Sequence, residues 1–352
     1  MKRSLILGMI VFCCCAAFAE FAAYPMAAYG TDTDYVIGAN CSLRFRPTAA
    51  DTSSTKSTLD LQMKYSQKHQ FQLLLQPELY FDADAFKATG ELKFRRWPTT
   101  FYGIGNTSCS CTGETYTPVK YAAAARMSRR FSTHWRIGLR LDALHHSLED
   151  ITSGGMLDAG SVPGSEDYFL AGIGPTLSFD TRDNTSYPTC GIFAQAQTVG
   201  FLKALGSDYG FSRHQLDVRS YRQLIPGHIV AAQAVAIHTR DRVPFSSLPQ
   251  LGEYLRAYDD EKFIDRNLVA LRTEYRATPF SSGFLNRLGV VLFAEMGETK
   301  HHISDISIQD ARFAGGTGIR FALFRNPRFN VRMDFGWGHS ASNLDIGIRE
   351  SF

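Results

Sequence analysis

The sequence predicts an all-β fold: a membrane-spanning antiparallel barrel of sixteen strands, closed between its first and last strands. Three observations predict this fold. Segments of about ten residues in which apolar and polar side chains alternate recur along the chain, as strands that cross a bilayer require. An export signal precedes them. The mean hydropathy is −0.15, and no later stretch approaches the roughly 18 apolar residues of a membrane-spanning helix, which excludes a helical bundle.

The first residues have the pattern of a secretory signal peptide. Met1–Arg3 is basic, Ser4–Ala17 is apolar, and Ala17-Phe18-Ala19 supplies the small residues of a cleavage site. We therefore expect residues 1–19 to be removed. A short periplasmic segment, residues 20–33, would then precede a barrel domain of residues 34–352.

Each strand is assigned by alternation along the chain. In Trp135–Asp142 and Phe329–Gly338, apolar side chains fall on one face and arginine, aspartate and glycine on the other. The apolar face suits lipid and the charged face suits a water-filled lumen; in a soluble β-sandwich, the alternative, the apolar face would form a core. The predicted strands are Asp34–Phe45, Ser57–Tyr65, His69–Phe81, Ala85–Arg95, Phe101–Thr107, Lys120–Arg130, Trp135–Ser147, Tyr168–Asp180, Cys190–Phe201, His214–Leu224, His228–Thr239, Asn267–Ala277, Leu288–Gly297, Ala311–Leu323, Phe329–Gly338 and Leu344–Phe352.

The lengths of the connections are a second indication of a barrel. Bacterial barrels have an even number of strands, short periplasmic turns and longer outer loops. Short connections follow even-numbered predicted strands and long ones follow odd-numbered strands, with the longer turn Thr278–Arg287 as an exception. The last strand ends on an aromatic residue, Phe352, which is interpreted as a C-terminal barrel signal. The short turns are Ser66–Lys68, Phe131–His134, Ile225–Gly227 and Arg325–Arg328, and the long loops include Leu148–Asp167 and Arg240–Arg266.

Composition and motifs exclude several classes of function. With 37 lysines and arginines against 34 aspartates and glutamates, the net charge of +3 lacks the basic excess of a nucleic-acid-binding protein. The chain has no G-x-S-x-G, P-loop or H-E-x-x-H motif, and its two His-His pairs lack a metal-ligand spacing. We therefore predict no enzyme activity, no cofactor and no metal site. Three disulfide pairings stay open among the exported cysteines Cys41, Cys109, Cys111 and Cys190.

Six short motifs occur in order along the chain: Y-G-I-G-N at Tyr102–Asn106, D-T-R-D-N at Asp180–Asn184 with P-T-C-G at Pro188–Gly191, L-G-E-Y-L-R-A-Y at Leu251–Tyr258, E-Y-R at Glu274–Arg276, F-A-E-M-G at Phe293–Gly297 and G-T-G-I-R-F at Gly316–Phe321. Together they resemble the BamA/TamA superfamily of outer-membrane barrels, also called bacterial surface antigens. The resemblance implies a location in the outer membrane of a Gram-negative cell.

The sequence departs from the family pattern in two respects. The family loop has glycine at the positions of Glu253 and Ala257, and alanine tolerates a positive φ poorly. The family's better-known members also carry periplasmic POTRA domains before the barrel. The segment Glu20–Thr33 is too short for one such domain, so the chain resembles the branch that lacks them.

The resemblance implies that a loop arginine, here Arg256, folds with Tyr258 into the lumen and pairs with an acid on the barrel wall. The alternation supplies acids independently, on the polar faces of two neighbouring strands. We interpret the pair as a latch that tethers loop Arg240–Arg266; ordinary lumen ion pairing is the alternative. In a wet lumen such a pair would contribute only about 1 kcal/mol. The predicted wall partners are Glu274, Glu295, Phe293 and Gly297.

The second motif is the family's periplasmic turn. Its charged residues have two interpretations, contact with a partner or stabilisation of the turn itself, and the second is preferred. The residues of this turn motif are Asp180, Arg182, Asp183, Asn184 and Gly191.

The resemblance implies a function in insertion or translocation of proteins, without a cofactor, through lateral opening of a weak seam between the first and last strands. The implied partners are outer-membrane lipid, unfolded outer-membrane protein clients and a separate periplasmic protein, and no nucleic acid. Three alternatives stay open: a passive pore or transporter of lipids or small molecules, a structural or adhesive surface antigen, and an enzyme whose site is assembled across strands.

Overall fold

The computed structural model describes residues 12–16, 19–30, 34–47, 54–105, 113–259, 261–280, 282–325, 328–339 and 341–352. Within these residues the chain forms eighteen strands of an antiparallel sheet, which confirms the predicted all-β class. The helices in the described part are single 3-10 turns, and none of them is long and apolar enough to cross a membrane.

The strands belong to two compact units. The first unit holds residues 1–100, 114–176 and 199–210, and the second holds residues 101–113, 177–198 and 211–352, so that β7, β10 and β11 contribute to both. The strands are β1 (Phe12–Ala16), β2 (Ala19–Gly30), β3 (Asp34–Phe45), β4 (Ser57–Ser66), β5 (Phe71–Phe81), β6 (Phe86–Arg96), β7 (Thr99–Phe101), β8 (Glu114–Arg130), β9 (Trp135–Glu149), β10 (Tyr168–Asp180), β11 (Gly191–Phe201), β12 (Phe211–Ile225), β13 (His228–Asp241), β14 (Asn267–Ala277), β15 (Leu288–Lys300), β16 (Arg312–Arg325), β17 (Arg328–Gly338) and β18 (Ala341–Ile348).

The sixteen predicted strands have counterparts in β3 to β18, but the predicted number is wrong because β1 and β2 precede them. β2 occupies most of the segment that was predicted to hold no strand. The polar–apolar alternation is weak there, because both faces of β2 are largely apolar: Tyr24 and Met26 are buried, whereas Phe21 is exposed on the opposite face. Closure between the first and last strands stays a prediction.

The fifth predicted strand, Phe101–Thr107, is also wrong. β7 has three residues and ends at Phe101, because the backbone then passes through Gly103 and Gly105 at φ values of 87° and 120°. Phe101 packs instead against Phe245, with ring centroids 5.0 Å apart. The rest of the predicted strand, from residue 106, lies outside the described residues.

Because β7 is so short, β6 pairs directly with β8, from Phe86 opposite Arg129 to Arg96 opposite Val119. This pairing changes the direction of every earlier strand relative to the prediction. Arg96 lies opposite Phe71, the first residue of β5, and forms an ion pair with Glu149, with 2.9 Å between Nε and Oε2. The turn after β4 therefore lies at the same end of the strands as this ion pair. The turn Phe131–His134 lies at the other end, so grouping it with Ser66–Lys68 on one side was wrong.

In the second unit, alternate residues of β14 and β15 are buried. On β14, Arg272, Glu274 and Arg276 are at most 5% exposed, whereas their neighbours Leu271 and Tyr275 are 46% and 38% exposed. β15 follows the same rule, with buried Phe293, Glu295 and Gly297. This buried face, called the inner face below, carries the charged residues, and the opposite face is apolar.

Cys41 and Cys190 are free thiols. Cys109 and Cys111 lie outside the described residues. The open choice among disulfide pairings therefore stays a prediction.

The direct pairing of β6 with β8 predicts a crosslink. Leu92 lies opposite Ala123, and the pair points to the same face. In a chain whose native cysteines are changed to serine, Leu92→Cys with Ala123→Cys should form a disulfide on oxidation, seen as a gel-mobility shift reversed by reductant. Leu92→Cys with Ala122→Cys is the matched control, because adjacent residues point to opposite faces. A crosslink in the control and not in the test pair would contradict the pairing.

Candidate functional site

The loop between β13 and β14, residues 242–266, packs against the inner face of the second unit. Its apolar side chains Leu251, Leu255 and Ala257 are at most 2% exposed. They form one cluster with residues of β13 and β14, among them Ile237 and Leu268. Burying one leucine side chain contributes about 1.5–3 kcal/mol, so apolar packing already fixes the path of the loop across the sheet.

This path places Arg256 over the inner face of β14, β15 and β17. Its Nε and backbone N–H both donate to the Glu295 carboxylate, each at 2.7 Å. Its Nη1 lies 2.8 Å from Glu274 Oε1 and 2.9 Å from Asp334 Oδ2. The guanidinium also stacks on Phe293, 3.6 Å from the ring centroid. One cation thus holds three carboxylates and an aromatic face, a geometry to which a planar fork of five donors is suited.

Strand register explains why these partners meet. Glu274 of β14 lies opposite Phe293 of β15, which lies opposite Gly316 of β16, which lies opposite Gly336 of β17. Arg256 lies above this row. A side chain at Gly336 would place its Cβ 3.0 Å from the backbone of residues 256 and 257, so only glycine lets the loop approach the sheet this closely.

The other predicted loop and wall residues lie at the edges of the same contact. The Tyr258 hydroxyl donates to Phe313 O at 3.0 Å and accepts from the His339 N–H at 3.1 Å. Its ring covers Gly338, where a Cβ would come within 2.7 Å of it. Gly297 leaves room for Leu251 in the same way. The loop is therefore attached by a hydrogen-bonded tyrosine as well as by the arginine.

Further charged residues extend the site. Arg272 Nε lies 3.1 Å from Glu295, and Arg276 Nε lies 2.7 Å from Glu274. Arg320 Nη1 lies 2.6 Å from Asp334. Arg332 also lies 2.9 Å from Asp334, but its side chain is 16% exposed. We call the fully buried members the Arg256 cluster: Arg256, Arg272, Arg276, Arg320, Glu274, Glu295, Asp334 and Glu350.

The Arg256 cluster is balanced in charge and buried. Its four arginines and four carboxylates have side chains that are at most 5% exposed. The estimate of about 1 kcal/mol assumed a wet lumen and exposed pairs. For buried pairs, removing one partner costs about 3–5 kcal/mol, because it leaves an uncompensated charge in a poorly solvated site.

Alternation alone did not identify Asp334, Arg320 or Glu350 as members. Asp334 lies on the polar face of its predicted strand, and Arg320 belongs to the sixth motif, so the sequence did indicate that both residues could be part of a site. Which inward residues lie opposite one another depends on strand register, and periodicity does not fix register across several strands. Glu350 lies within the predicted last strand Leu344–Phe352, but β18 ends at Ile348, so alternation could not predict the direction of its side chain.

The turn between β10 and β11 is stabilised by its own side chains. Arg182 donates two hydrogen bonds to Asp180, from Nε at 2.9 Å and from Nη2 at 2.7 Å. The Asp183 carboxylate accepts from the Thr189 hydroxyl and backbone N–H and from a second backbone N–H. Burial raises the pKa of Asp183, but these hydrogen bonds outweigh it and hold the pKa below its ordinary value of 3.8.

The remaining turn residues are also engaged within the turn. Asn184 Oδ1 accepts from the backbone N–H groups of Ser186 and Tyr187 at 2.7 and 2.9 Å. Gly191 has φ 105°, and a Cβ there would overlap Thr181 O. These contacts favour the interpretation of the motif as turn stabilisation.

Comparisons with known proteins agree with this architecture. A family model described as the Omp85 superfamily domain matches residues 49–349. BamA from Haemophilus ducreyi lacking POTRA domains 1-3 is 12% identical with a TM-score of 0.58, over 94% of this chain and 69% of that chain. CdiB from Acinetobacter baumannii is 11% identical with a TM-score of 0.56, over 94% of this chain and 58% of that chain. No curated protein matches the sequence. The predicted resemblance to BamA/TamA-type barrels is confirmed.

The burial of the cluster predicts the effect of removing its central cation. Arg256→Ala should release loop 242–266 while the sheet stays folded, at a cost of about 3–5 kcal/mol, because three buried carboxylates lose a partner. Cleavage of the loop by proteinase K in the detergent-solubilised folded protein should rise at least about tenfold. The matched control is Arg240→Ala, since Arg240 is an exposed arginine just before the loop. Equal cleavage in Arg256→Ala and the unaltered protein would show that apolar packing alone holds the loop.

Proposed function

Because the chain belongs to the Omp85 superfamily, we propose that it is an outer-membrane barrel that inserts or translocates proteins without a cofactor and without enzymatic chemistry. The family match supports the outer-membrane location and the general class of function. The observation that carries the proposal is the attachment of loop 242–266 to the inner face by Arg256. We interpret this attachment as the latch that holds the loop in a transport-competent position.

The second part of the proposal is a seam between the first and last strands. Removal of residues 1–19 would take away β1 and make β2 the first strand. The strands with eight residues or more would then be β2 to β6 and β8 to β18. That number is even, so β2 and β18 run in opposite directions along the chain, as antiparallel closure requires.

The length of β18 supports a seam that opens. β18 has eight residues, whereas its neighbour β17 has eleven. A shorter strand forms fewer ladder hydrogen bonds, and Gly347 within it lowers strand stability further. Lateral opening at β18 would therefore cost less than separation of two longer strands.

A packed loop also separates this proposal from a passive pore. A loop that covers the inner face of the second unit would obstruct diffusion, so we expect low conductance in a planar bilayer. We propose outer-membrane lipid, unfolded outer-membrane proteins and a periplasmic protein as partners. A large, loop-independent conductance would instead favour the transporter of small molecules.

The test is the folding rate of a urea-unfolded outer-membrane protein into liposomes, with and without the purified protein in the bilayer. We expect acceleration, and loss of it when a cysteine pair, one residue in β2 and one in β18, is oxidised. Reduction of the same pair should restore the rate. The control is a cysteine pair across β13 and β14, which fixes two strands away from the seam. No acceleration, with or without a periplasmic extract, would contradict the proposed function.

A further inference from the structure

The chain leaves the sheet after β18 and turns onto the inner face. Arg349 has φ 61°, in the left-handed region, and its backbone N–H donates to Asn330 O at 2.7 Å. This turn carries Glu350, Ser351 and Phe352 away from the strand direction. We call residues 349–352 the end segment.

Phe352 is held in a pocket on the inner face. Its ring is 5% exposed and packs with Tyr221 and Ala231. The guanidinium groups of Arg272 and Arg276 lie 5.0 and 5.3 Å from the ring centroid, within the range of cation–π contact. Arg276 Nη2 also donates to Phe352 O at 3.0 Å. The aromatic residue that was interpreted as a barrel signal at the end of a strand is therefore buried.

Glu350 is held by a second set of donors. Arg320 Nε donates to Glu350 Oε2 at 2.7 Å, and Asn330 Nδ2 donates to Oε1 at 2.6 Å. The Glu350 side chain is 2% exposed. Tyr187 of the β10–β11 turn lies nearby and is buried; burial, followed by the negative charge of Glu350, raises the pKa of Tyr187.

Two relays of buried ion pairs join the end segment to the loop. In the first, Arg256 contacts Glu274, Glu274 contacts Arg276, and Arg276 contacts Phe352. In the second, Arg256 contacts Asp334, Asp334 contacts Arg320, and Arg320 contacts Glu350. Each link is 3.0 Å or shorter, and a single atom, Arg256 Nη1, starts both relays.

We propose that the end segment and loop 242–266 are energetically coupled through these relays, so that the release of one destabilises the packing of the other. Without Arg256, Glu274 and Asp334 each lose a cation and draw Arg276 and Arg320 toward them. Arg276 donates to Phe352 O and Arg320 donates to Glu350, while Arg272 contacts the Phe352 ring. Without the end segment, the same arginines lose their acceptors and compete with Arg256 for Glu274 and Asp334. The position of the loop then influences the position of the chain at the end of β18.

The coupling does not depend on the proposed insertion activity. If that activity exists, the coupling would supply a mechanism for opening the seam. If β18 forms the opening seam, a loop that is displaced by a client chain would free the end of that strand. If the protein inserts nothing, the coupling would still exist as a property of the folded chain.

The test is hydrogen–deuterium exchange with mass spectrometry on the folded protein in detergent, because one experiment reports both the loop and the end segment. Phe352→Ala should raise the opening equilibrium of the loop at least about tenfold, although residue 352 lies outside the loop. Arg256→Ala should raise that of the end segment by a similar factor, because coupling between two sites is reciprocal. In the double variant, the opening equilibrium should rise by less than the product of the two single-variant increases, because both substitutions act on one network.

The controls are Phe335→Ala and Arg240→Ala, an aromatic residue and an arginine that are exposed outside the cluster. Glu350→Gln is a milder variant that keeps the side-chain shape, and it serves if Phe352→Ala does not fold. The proposal would be overturned if each variant raised exchange only in its own segment. An unaltered loop in Glu350→Gln, together with an unaltered loop in Phe352→Ala, would also overturn it. Absence of liposome insertion activity in the unaltered protein, with both exchange effects present, would contradict only the proposed function.

Discussion

One buried cation joins loop 242–266 to the inner face of the second unit. Arg256 enters from a loop and meets three carboxylates from β14, β15 and β17. The desolvation cost of such groups is offset only when every charge has its partners. We therefore expect the loop to be either in place with all its ion pairs or released with most of them broken, as in a two-state element.

The sheet is shaped to receive that loop. Gly297 of β15 leaves room for Leu251, and at Gly336 and Gly338 of β17 the loop backbone and the Tyr258 ring fill the space that side chains would take. The departures from the family motif lie on the loop itself. Ala257 is buried at 2% exposure and needs no positive φ here, so alanine is tolerated at that position.

Alternation of side chains predicted the faces of the strands well. It placed Glu274 and Glu295 on the polar faces of two neighbouring strands, and the structure buries both. It failed where the chain departs from regular pairing. Both faces of β2 are largely apolar, so alternation did not reveal this strand. β7 ends before two glycines with positive φ, and the chain turns onto the inner face at Arg349.

The candidate site was predicted in part, for a related reason. A shared parity and a family resemblance pointed to Arg256 with Glu274 and Glu295. Asp334, Arg320 and Glu350 needed the register of five consecutive strands and the turn at Arg349, which no local pattern carries. The result is a larger network than a loop and one acid, and it includes the end of the last strand.

The most direct test of this account is a double-mutant cycle between Arg256→Ala and Glu295→Ala, measured as the free energy of unfolding in a lipid or detergent environment. We predict a coupling free energy of about 2–3 kcal/mol, because removing either residue alone leaves the buried charge of the other without this partner. Additive effects of the two substitutions would contradict it, since they would show that the contact between Arg256 and Glu295 contributes nothing to stability.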